Sequence, residues 1–491
     1  MTQPCLIELA LSTIPSNTLL FSQAYIQNQI KLIMANTTIS TKSQDSVSTV
    51  QAALDSAISR FTASNSKSAS LYQNAISSLP GGNTRATLHT SPFPVYITRG
   101  DGTMVSTADG DILFDLVGEL SAGIYGHTHP ILRSAIISTF DNKGMCLGGT
   151  TDAETSHAAL ICQRFGVDRV RFTNSGTEAN LHVLMAARRL TGRRKIVMFN
   201  AAYHGSVLGT RPDGSLPDNM VDRETVIVLR YNDIEDVTRF FASSEAKEVA
   251  AVMVEVMQGG GGSICGDAAF LLCVQRCARE VGALLVVDEV MTSRLAPGGL
   301  KSTIKGLEPD FVTLGKYLGG GFAFGAFGGR EELMQVYDPR RTGGLYHLGT
   351  FNQNSMAMNV GYVGLKELFT PDACIQLGVA GDNLRERLNL VTKGTKLGFT
   401  GVGSIMSLHT TEEGIRGEDL KNAAHVVELT DLKDLFWFEM LEERIWISRR
   451  GSISLSLGML QEELDRFVDV VAGFVKRNEE LVKISGSETT N

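Results

Sequence analysis

The chain has few cysteines, no long apolar run and no cluster of basic residues. Its seven cysteines include no Cys-x-x-Cys pair. Cys273 and Cys277 are one helical turn apart, but no second pair or nearby histidine completes a metal site around them. We therefore expect free thiols and no disulfide scaffold, as in a reducing, cytoplasmic compartment.

These missing features exclude several classes of protein. Without about 18 consecutive apolar residues, the chain has no predicted membrane span. Its 45 Lys and Arg residues are outnumbered by 53 Asp and Glu residues, which gives a net charge of −8. An acidic chain of this kind is a poor match for nucleic acid phosphates. Because 43% of the residues are hydrophobic, the composition predicts a soluble globular protein rather than a disordered chain.

The composition and residue pattern change along the chain, and these changes predict four segments. Much of residues 1–60 is rich in Ser, Thr, Asn and Gln and lacks the basic residues of a targeting peptide, so this segment is predicted to be a disordered polar extension. Residues 61–115 are expected to join the small domain. Residues 116–380 are predicted to form a large domain, and residues 381–485 a C-terminal small domain.

The large domain is predicted to have an α/β fold. Short β-branched runs such as RKIVMFN, VAAVMVEV and GALLVVDEV are typical of buried strands. Longer helical patterns such as EANLHVLMAARRL lie between them. Strands that alternate with helices indicate a mostly parallel sheet with helices on both faces. The C-terminal segment mixes helices and strands, which indicates a smaller α+β domain.

A first candidate site is the segment RFTNSGTEAN, residues 171–180. A strand runs into Ser175, Gly176 and Thr177, and a helix begins near Glu178. Backbone N–H groups at a helix N-terminus bind phosphate, and the two hydroxyls would add to such a cradle. An ordinary helix cap with a capping acid has the same pattern, so both interpretations stay open.

A second candidate is Tyr203 in NAAYHG, directly after the predicted strand KIVMF. Parallel α/β sheets bind ligands at the carboxyl ends of their strands, where an aromatic ring can stack on a planar ligand. A tyrosine that packs only a loop is an equally good interpretation of this motif by itself.

A third candidate is Asp288, which directly follows the apolar run ALLVV. A buried carboxylate needs a cationic or hydrogen-bonding partner. The protonated pyridine nitrogen of pyridoxal phosphate would be such a partner. A metal bound by Asp288 and Glu289 is the alternative, although neighbouring strand residues point to opposite faces. Val290 shares the face of Asp288 and would pack on the ring.

The fourth candidate is Lys316, which ends the strand DFVTLG and precedes a glycine-rich loop. A lysine among apolar residues and tight glycines loses its proton more easily than an exposed lysine. The neutral amine is the form that a Schiff-base nucleophile requires. A single lysine is weak support for a Schiff-base site. The four candidate features occur in this order along the chain, however, and together they support that interpretation.

Long segments of the chain resemble the class III, fold-type I aminotransferases that depend on pyridoxal phosphate. The resemblance extends from about Leu79 to Val475, within the branch of glutamate-1-semialdehyde aminomutase, and is greatest for the β-phenylalanine (β-amino acid) aminotransferases. The segments that carry it are LPGGNTRATLHTSPFP, AGIYGHTHP, RFTNSGTEAN, DEVMTSRLAPGGL, GKYLGGGFAFGAFGGR, HLGTFNQN and ISRRGSISLSLG. This resemblance implies the fold-type I architecture and pyridoxal phosphate as cofactor, bound in the large domain.

The resemblance also implies roles for single residues. Lys316 would form the Schiff base with the cofactor and carry protons during the reaction. Asp288 would pair with the pyridine nitrogen. Tyr203 and Val290 would contact opposite faces of the ring.

The phosphate of the cofactor would be held by Ser175, Gly176 and Thr177. Thr350, in HLGTFNQN, resembles the hydroxyl that reaches the phosphate from the neighbouring subunit, which implies a homodimer. Glu255 in VEVMQGG is also expected near the cofactor.

Substrate choice is expected to depend on Arg85 in GGNTR and Arg450 in SRRGS. Both match positions that bind substrate carboxylates in the β-amino acid enzymes, and a guanidinium suits this task because it can donate two parallel hydrogen bonds. A plain ion pair is the alternative for each, and Arg449 beside Arg450 leaves the choice between them open. Leu348 replaces a small polar residue of the β-amino acid enzymes, so the side chain that the substrate carries stays open.

The predicted function is transfer of an amino group from an amino acid, which can be a β-amino acid, to a 2-oxo acid such as 2-oxoglutarate or pyruvate. An aminomutase, a racemase and a member without catalytic activity are the alternatives. The aminomutase has an acidic residue where this chain has SRRGS, which argues against that alternative.

Overall fold

The computed structural model describes residues 44–415 and 420–484. Residues 1–43 of the predicted extension lie outside the described residues, whereas residues 44–60 belong to the helix Gln44–Ser64. The prediction of disorder is therefore wrong for these residues. Leu54, Ala57 and Phe61 are buried, and their helical spacing places them on one face. The polar composition around them hid this sparse apolar pattern.

Sixteen strands are found in the described part of the chain. They are β1 (Ile97–Asp101), β2 (Met104–Thr107), β3 (Ile112–Asp115), β4 (Arg169–Thr173), β5 (Lys195–Phe199), β6 (Val226–Leu229), β7 (Val249–Glu255), β8 (Met257–Gln258), β9 (Ile264–Cys265), β10 (Leu284–Asp288), β11 (Phe311–Gly315), β12 (Gly325–Gly329), β13 (Leu397–Val402), β14 (Ile405–Thr410), β15 (Ile445–Trp446) and β16 (Ser452–Ser454). The α-helices are Gln44–Ser64, Ser66–Ala75, Pro130–Asn142, Asp152–Phe165, Gly176–Thr191, Ile234–Phe241, Ala268–Val281, Glu331–Met334, Ser355–Val363, Pro371–Val391, Thr430–Glu442, Gln461–Arg477 and Glu479–Val482.

Seven strands form the central sheet, in the order β4-β12-β11-β10-β7-β5-β6. β12 runs antiparallel to its neighbours β4 and β11, and the other neighbouring pairs are parallel. This arrangement confirms the predicted mostly parallel sheet. Because the parallel strands share one direction, their carboxyl ends meet at one edge, where α/β sheets bind ligands.

Helices cover both faces of the central sheet. On one face, Val254 and Val287 pack in a cluster that includes Phe270 of the helix Ala268–Val281. On the other face, Met253 and Val286 pack in a cluster that includes residues of the helix Gly176–Thr191. Alternate residues of each central strand thus face opposite layers, which confirms the predicted α/β architecture.

Three smaller sheets of the described residues lie outside the central one. β13, β14 and β16 form the first, β1, β2, β3 and β15 the second, and β8 and β9 the third. β15, from the C-terminal part of the chain, pairs in parallel with β3. Residues 61–115 are therefore tied to the C-terminal segment, in keeping with the predicted small domain, while the domain boundaries themselves stay predictions. Among the helices that the structure describes, none combines the length and apolar content needed to cross a membrane.

Candidate active site

Three of the predicted motifs meet at the side chain of Val290. A Cβ atom added to Gly176 would lie 2.8 Å from both γ-methyl carbons of Val290. A Cβ added to Gly315, the residue before Lys316, would lie 3.3 Å from one of these methyl carbons. The ends of β4, β10 and β11 are thus brought within van der Waals contact of one another, and glycine permits this close approach.

Asp288 lies at the end of β10 and accepts three hydrogen bonds. Its Oδ2 accepts from Nδ2 of Asn180 and from Nδ1 of His204, both at 2.8 Å, and its Oδ1 accepts from the backbone N–H of Val290 at 2.9 Å. Burial disfavours the imidazolium form of His204, but the hydrogen bond and charge of Asp288 outweigh this cost and raise the pKa of His204. The network therefore fixes the position of the Asp288 carboxylate at the end of β10.

The neighbouring carboxylate, Glu289, has other partners. It accepts hydrogen bonds from the backbone N–H groups of Leu300 and Lys301, and burial raises its pKa to about 7. Asp288 and Glu289 are thus held by different parts of the chain, as the alternation of strand residues predicts. This separation argues against the alternative of a metal ion bound by both carboxylates.

Glu255, at the end of β7, connects the network to Tyr203. Its two carboxylate oxygens accept from the backbone N–H groups of Tyr203 at 3.1 Å and of Gly259 at 3.0 Å. Burial and the charge of Asp288 raise the pKa of Glu255 to about 7, although His204 opposes the shift. The Tyr203 backbone is therefore anchored, while its side chain stays 58% exposed at the edge of the site.

Lys316 directly follows β11 and has a left-handed backbone with a φ of 58°. Its Nζ donates a hydrogen bond to the backbone carbonyl of Leu120 at 2.5 Å. Burial and the nearby charge of Arg294 lower the pKa of Lys316 to about 8. A residue other than glycine in this conformation is strained, and here the strain aims the amine toward the edge where the strands end.

The turn that receives Lys316 is itself left-handed. Gly118, Glu119, Leu120 and Ser121 have φ values of 50°, 49°, 51° and 76°. Three of these four residues are not glycine, and each costs on the order of 1–2 kcal/mol in this conformation. Asp115 stabilises the entry to the turn by accepting from the backbone N–H of Gly118 at 3.1 Å. We refer to residues 118–121 as the left-handed turn.

Arg85 lies beside this turn and forms an ion pair with Glu119. The distance between Nη1 and the carboxylate oxygen is 2.6 Å, and the side chains are 45% and 60% exposed. Glu119 precedes Leu120, the residue whose carbonyl binds Lys316. The structure therefore places the predicted carboxylate ligand Arg85 beside the turn that receives the predicted catalytic lysine, and Arg85 is paired there with a weak, exposed partner.

The structure separates Arg449 from Arg450. Arg449 forms an ion pair with Asp434 at 2.5 Å and lies over the ring of Trp437, which is a structural role. Arg450 is exposed, and within the described residues its guanidinium has no hydrogen bond or ion pair. Of the two, only Arg450 has a guanidinium free to bind a ligand, but no contact connects it with Lys316, so its role stays a prediction.

The segment after β4 forms a helix cap with a capping acid, since the carboxylate of Glu178 accepts from the backbone N–H of Asn174 at 2.8 Å, and its role as a phosphate cradle stays a prediction. Ser175 caps the helix Gly176–Thr191, and its hydroxyl accepts from the backbone N–H of Glu178 at 3.2 Å. The side chain of Thr177 lies so close to Gly205 that a Cβ there would collide with it. Backbone N–H groups, two hydroxyls and a helix N-terminus thus meet at one place.

These groups fit pyridoxal phosphate. The helix N-terminus suits the phosphate, the carboxylate of Asp288 has acceptor capacity left for a protonated ring nitrogen, and the amine of Lys316 suits the aldehyde. Val290 lies between the three groups and offers an apolar surface.

Thr350 lies in an exposed segment next to Leu348, whose side chain is 82% exposed. The predicted role of Thr350 is a contact with a partner subunit, so the geometry of one chain leaves that role as a prediction. Tyr346 and Phe351 are also 85% and 58% exposed, so this segment presents several apolar side chains at the surface.

Sequence reasoning missed Asn180, Glu119 and Arg294. Asn180 lies one helical turn after Gly176, so a polar residue on that helix face was a signal for a contact with the sheet edge. Glu119 and Arg294 gave no comparable signal, because their partners are far away in the sequence.

Comparison with known proteins shows strong similarity over most of the chain. The family model described as Aminotransferase class-III matches residues 86–430. The chain is 44% identical over 430 residues to a beta-phenylalanine transaminase of Variovorax paradoxus, which covers 87% of this chain and 96% of the relative. It is 31% identical over 420 residues to a glutamate-1-semialdehyde 2,1-aminomutase of Heliobacterium modesticaldum, with coverage of 81% and 94%.

A solved structure shows the same similarity in three dimensions. The crystal structure of a beta-phenylalanine aminotransferase from Variovorax paradoxus matches with a TM-score of 0.84 and 43% identity. The match covers 89% of this chain and 100% of that chain.

Proposed function

The chain belongs to the class-III aminotransferase family, and from that premise we propose that its amino donor is a β-amino acid. The enzyme is a pyridoxal-phosphate-dependent aminotransferase, which moves an amino group from an amino acid to a 2-oxo acid. The choice of a β-amino acid is supported above all by the exposed ion pair of Arg85 and Glu119 beside the turn that receives Lys316.

The chain's own residues divide the work of this reaction. When bound, pyridoxal phosphate supplies a ring that withdraws electrons from the reacting carbon. Lys316 would hold the cofactor through its aldehyde, and once a substrate amine has replaced it there, the freed Lys316 amine would remove and return a proton at the carbon that bears the nitrogen. A lowered pKa of about 8 favours this task, because about a tenth of the amine is then uncharged at pH 7, against less than about a thousandth at the ordinary pKa of 10.5. Asp288 holds the proton of the ring nitrogen, and Asn180 and His204 keep the carboxylate in place.

Three further groups hold the cofactor in this proposal. Ser175, Gly176 and Thr177 bind the phosphate at the helix N-terminus. Tyr203 and Val290 enclose the ring from opposite sides.

The substrate carboxylate is proposed to replace Glu119 on Arg85. An ion pair with both partners near half exposed is worth about 0–1 kcal/mol, so an incoming carboxylate can displace it at little cost. In a β-amino acid the carboxylate is one carbon further from the reacting centre than in an α-amino acid. Arg85 is suited to this longer reach because Glu119 holds it beside the left-handed turn rather than at the lysine itself. Arg450, with a free guanidinium, is the proposed second carboxylate ligand.

We also propose a homodimer, supported by the exposed side chains of Tyr346 and Leu348 on either side of His347, near Thr350. A cytoplasmic location is supported by the six cysteines of the described residues, all of which are free thiols.

The absorption spectrum of the purified protein with bound cofactor tests the choice of amino donor. We expect β-phenylalanine to abolish the visible band of the bound cofactor and produce a near-ultraviolet band, as the nitrogen moves to the cofactor. A 2-oxo acid should restore the visible band. The α-isomer, phenylalanine, is the matched comparison and should act much more slowly at equal concentration.

The possible outcomes separate the alternatives. A faster response to the α-isomer would overturn the β-amino acid proposal while leaving the aminotransferase reaction intact. An aminomutase would keep isotope-labelled nitrogen in the product without any 2-oxo acid. A racemase would return the visible band unaided and exchange only the proton.

A further inference from the structure

Arg294 is a buried arginine without an acidic partner. It lies in the short helical turn Thr292–Arg294 after Asp288, and it is 1% exposed. Its Nε donates to Oγ of Ser404 at 3.2 Å and its Nη1 to the carbonyl of Ser121 at 2.9 Å, while Nη2 donates to the carbonyl of Leu455. Within the described residues it forms no ion pair. These neutral acceptors take a hydrogen bond from each of its three nitrogens but leave its charge uncompensated.

The position of Arg294 relative to Lys316 follows from their acceptors. Arg294 binds the carbonyl of Ser121, and Lys316 binds the carbonyl of Leu120, the preceding residue. Both carbonyls belong to the left-handed turn, so two cationic side chains are held at consecutive peptide groups. A buried, uncompensated charge costs stability, which makes a purely structural role a poor explanation for its place beside the catalytic lysine.

We infer that Arg294 is a positioning residue for Lys316: it holds the strained left-handed turn in place and repels the charged form of the lysine amine. The first effect keeps the Leu120 carbonyl where it receives Lys316. The second effect favours the uncharged amine, the form that attacks an aldehyde. This inference rests on the proposed function of Lys316 as the residue that binds the cofactor.

Charges other than that of Arg294 also change the pKa of Lys316, and together they determine how far it shifts. Asp288, Glu119 and Glu255 favour the charged amine, whereas burial and Arg294 disfavour it. The pKa of Lys316 is nevertheless lowered to about 8, because burial and Arg294 together outweigh the three carboxylates. Removing the charge of Arg294 should therefore move the titration of Lys316 upward by about one pH unit, as expected for loss of one nearby like charge.

The test is the reactivity of Lys316 in the full chain after removal of the cofactor. A trace amount of acetic anhydride labels uncharged amines, and mass spectrometry measures the label on Lys316 at a series of pH values. The exposed Lys393 serves as the internal reference. In Arg294→Met the midpoint of Lys316 labelling should rise by about one pH unit, whereas Arg294→Lys, which keeps the positive charge, should stay within a few tenths of a unit of the wild type.

Arg164→Met is the matched control. Arg164 lies over the ring of Phe369 and acts electrostatically on Tyr317, as Arg294 does, but it is not among the charges that act on Lys316. Its removal should leave the labelling midpoint unchanged. If Arg294→Met does not fold, Arg294→Gln gives the same test, because its amide is neutral and can still donate to one carbonyl.

An unchanged midpoint in the folded neutral variant would overturn the inference, and so would an equal shift in Arg294→Lys. A separate measurement distinguishes failure of the inference about Arg294 from failure of the proposed function. Borohydride reduction of the protein with bound cofactor, followed by mass spectrometry, identifies the lysine that carries pyridoxal phosphate. Attachment to another lysine would contradict the role of Lys316, whereas attachment to Lys316 with an unchanged midpoint would contradict only the role of Arg294.

Discussion

Asp288 and His204 lie beneath the site with side chains no more than 5% exposed, whereas Arg85 and Glu119 at its edge are 45% and 60% exposed. The buried pair belongs to a network in which Asp288 accepts three hydrogen bonds. The exposed pair has a single ion pair between two solvent-exposed side chains. We call the first region the floor of the site and the second region its rim.

The contrast shows how one fold can keep a reaction and change its substrate. A substitution in the floor leaves a buried polar group without a partner, which costs about 1–3 kcal/mol and disturbs the ring nitrogen. A substitution in the rim exchanges one solvated contact for another at little cost. The floor is therefore expected to determine the chemistry, and the rim the carboxylic acid that is accepted.

The largest effect is expected for Lys316→Ala. Loss of the general base should lower turnover by about 10³-fold or more, since positioned proton transfer contributes about 10²–10⁴-fold. Transamination of β-phenylalanine measures the change, and Lys305→Ala, at an exposed position, is the control. Turnover within tenfold of the wild type would show that another group carries the proton.

The second-largest effect is expected on kcat, for Asp288→Asn. Its amide cannot balance the positive ring nitrogen, so kcat should fall by about 10²-fold, similar to the loss of one preorganised electrostatic contact. Glu289→Gln is the matched control, because Glu289 is a buried neighbour with backbone partners of its own. It should lower the melting temperature without a comparable loss of kcat. Equal losses of kcat in both variants would contradict the special role of the floor.

The third-largest effect is expected on KM, for substitution of Arg85 in the rim. Arg85→Ala should raise KM for a β-amino acid about 10-fold to 100-fold with little change in kcat, because a hydrogen bond to a charged group contributes about 1.5–3 kcal/mol. Arg450→Ala should act in the same direction. Arg449→Ala, which breaks the contacts with Asp434 and Trp437, should instead lower the melting temperature. A higher KM in Arg449→Ala alone would reverse the assignment of the two arginines.

The smallest effect is expected for Glu119→Gln. Removing the competitor of the substrate should lower KM by up to about fivefold, the equivalent of the 0–1 kcal/mol typical of an exposed ion pair. Adding salt to the wild type should reproduce part of the change, since salt screens exposed charges. An increased KM would mean that Glu119 assists binding and would remove the distinction between a displaceable rim and a permanent floor.

Much of the site could be predicted from the sequence because its residues follow predicted strands. Asp288 ends β10, Lys316 follows β11, and Ser175 and Tyr203 come shortly after β4 and β5. Parallel strands bring their carboxyl ends to one edge, so a local pattern predicts which residues meet. The α/β fold was predictable for the same reason.

The other parts of the fold and of the site depend on contacts between distant segments, which no local sequence pattern reveals. The helix Gln44–Ser64 was obscured by polar residues around a few apolar ones. The left-handed turn was not predictable either, because three of its four residues are not glycine and do not favour that conformation.

The sequence by itself determined the class of fold, the cofactor chemistry and the positions of Lys316 and Asp288, since these depend on residue type and on the ends of strands. Only the tertiary structure decided which groups change the pKa of Lys316 and which groups hold the carboxylate of Asp288 in place. Leu120 meets Lys316 across 196 residues, and Ser121 meets Arg294 across 173. Contacts of this range follow from how packed layers place distant segments, and burial beside another charge changes the proton affinity of an amine whose own sequence context is unchanged.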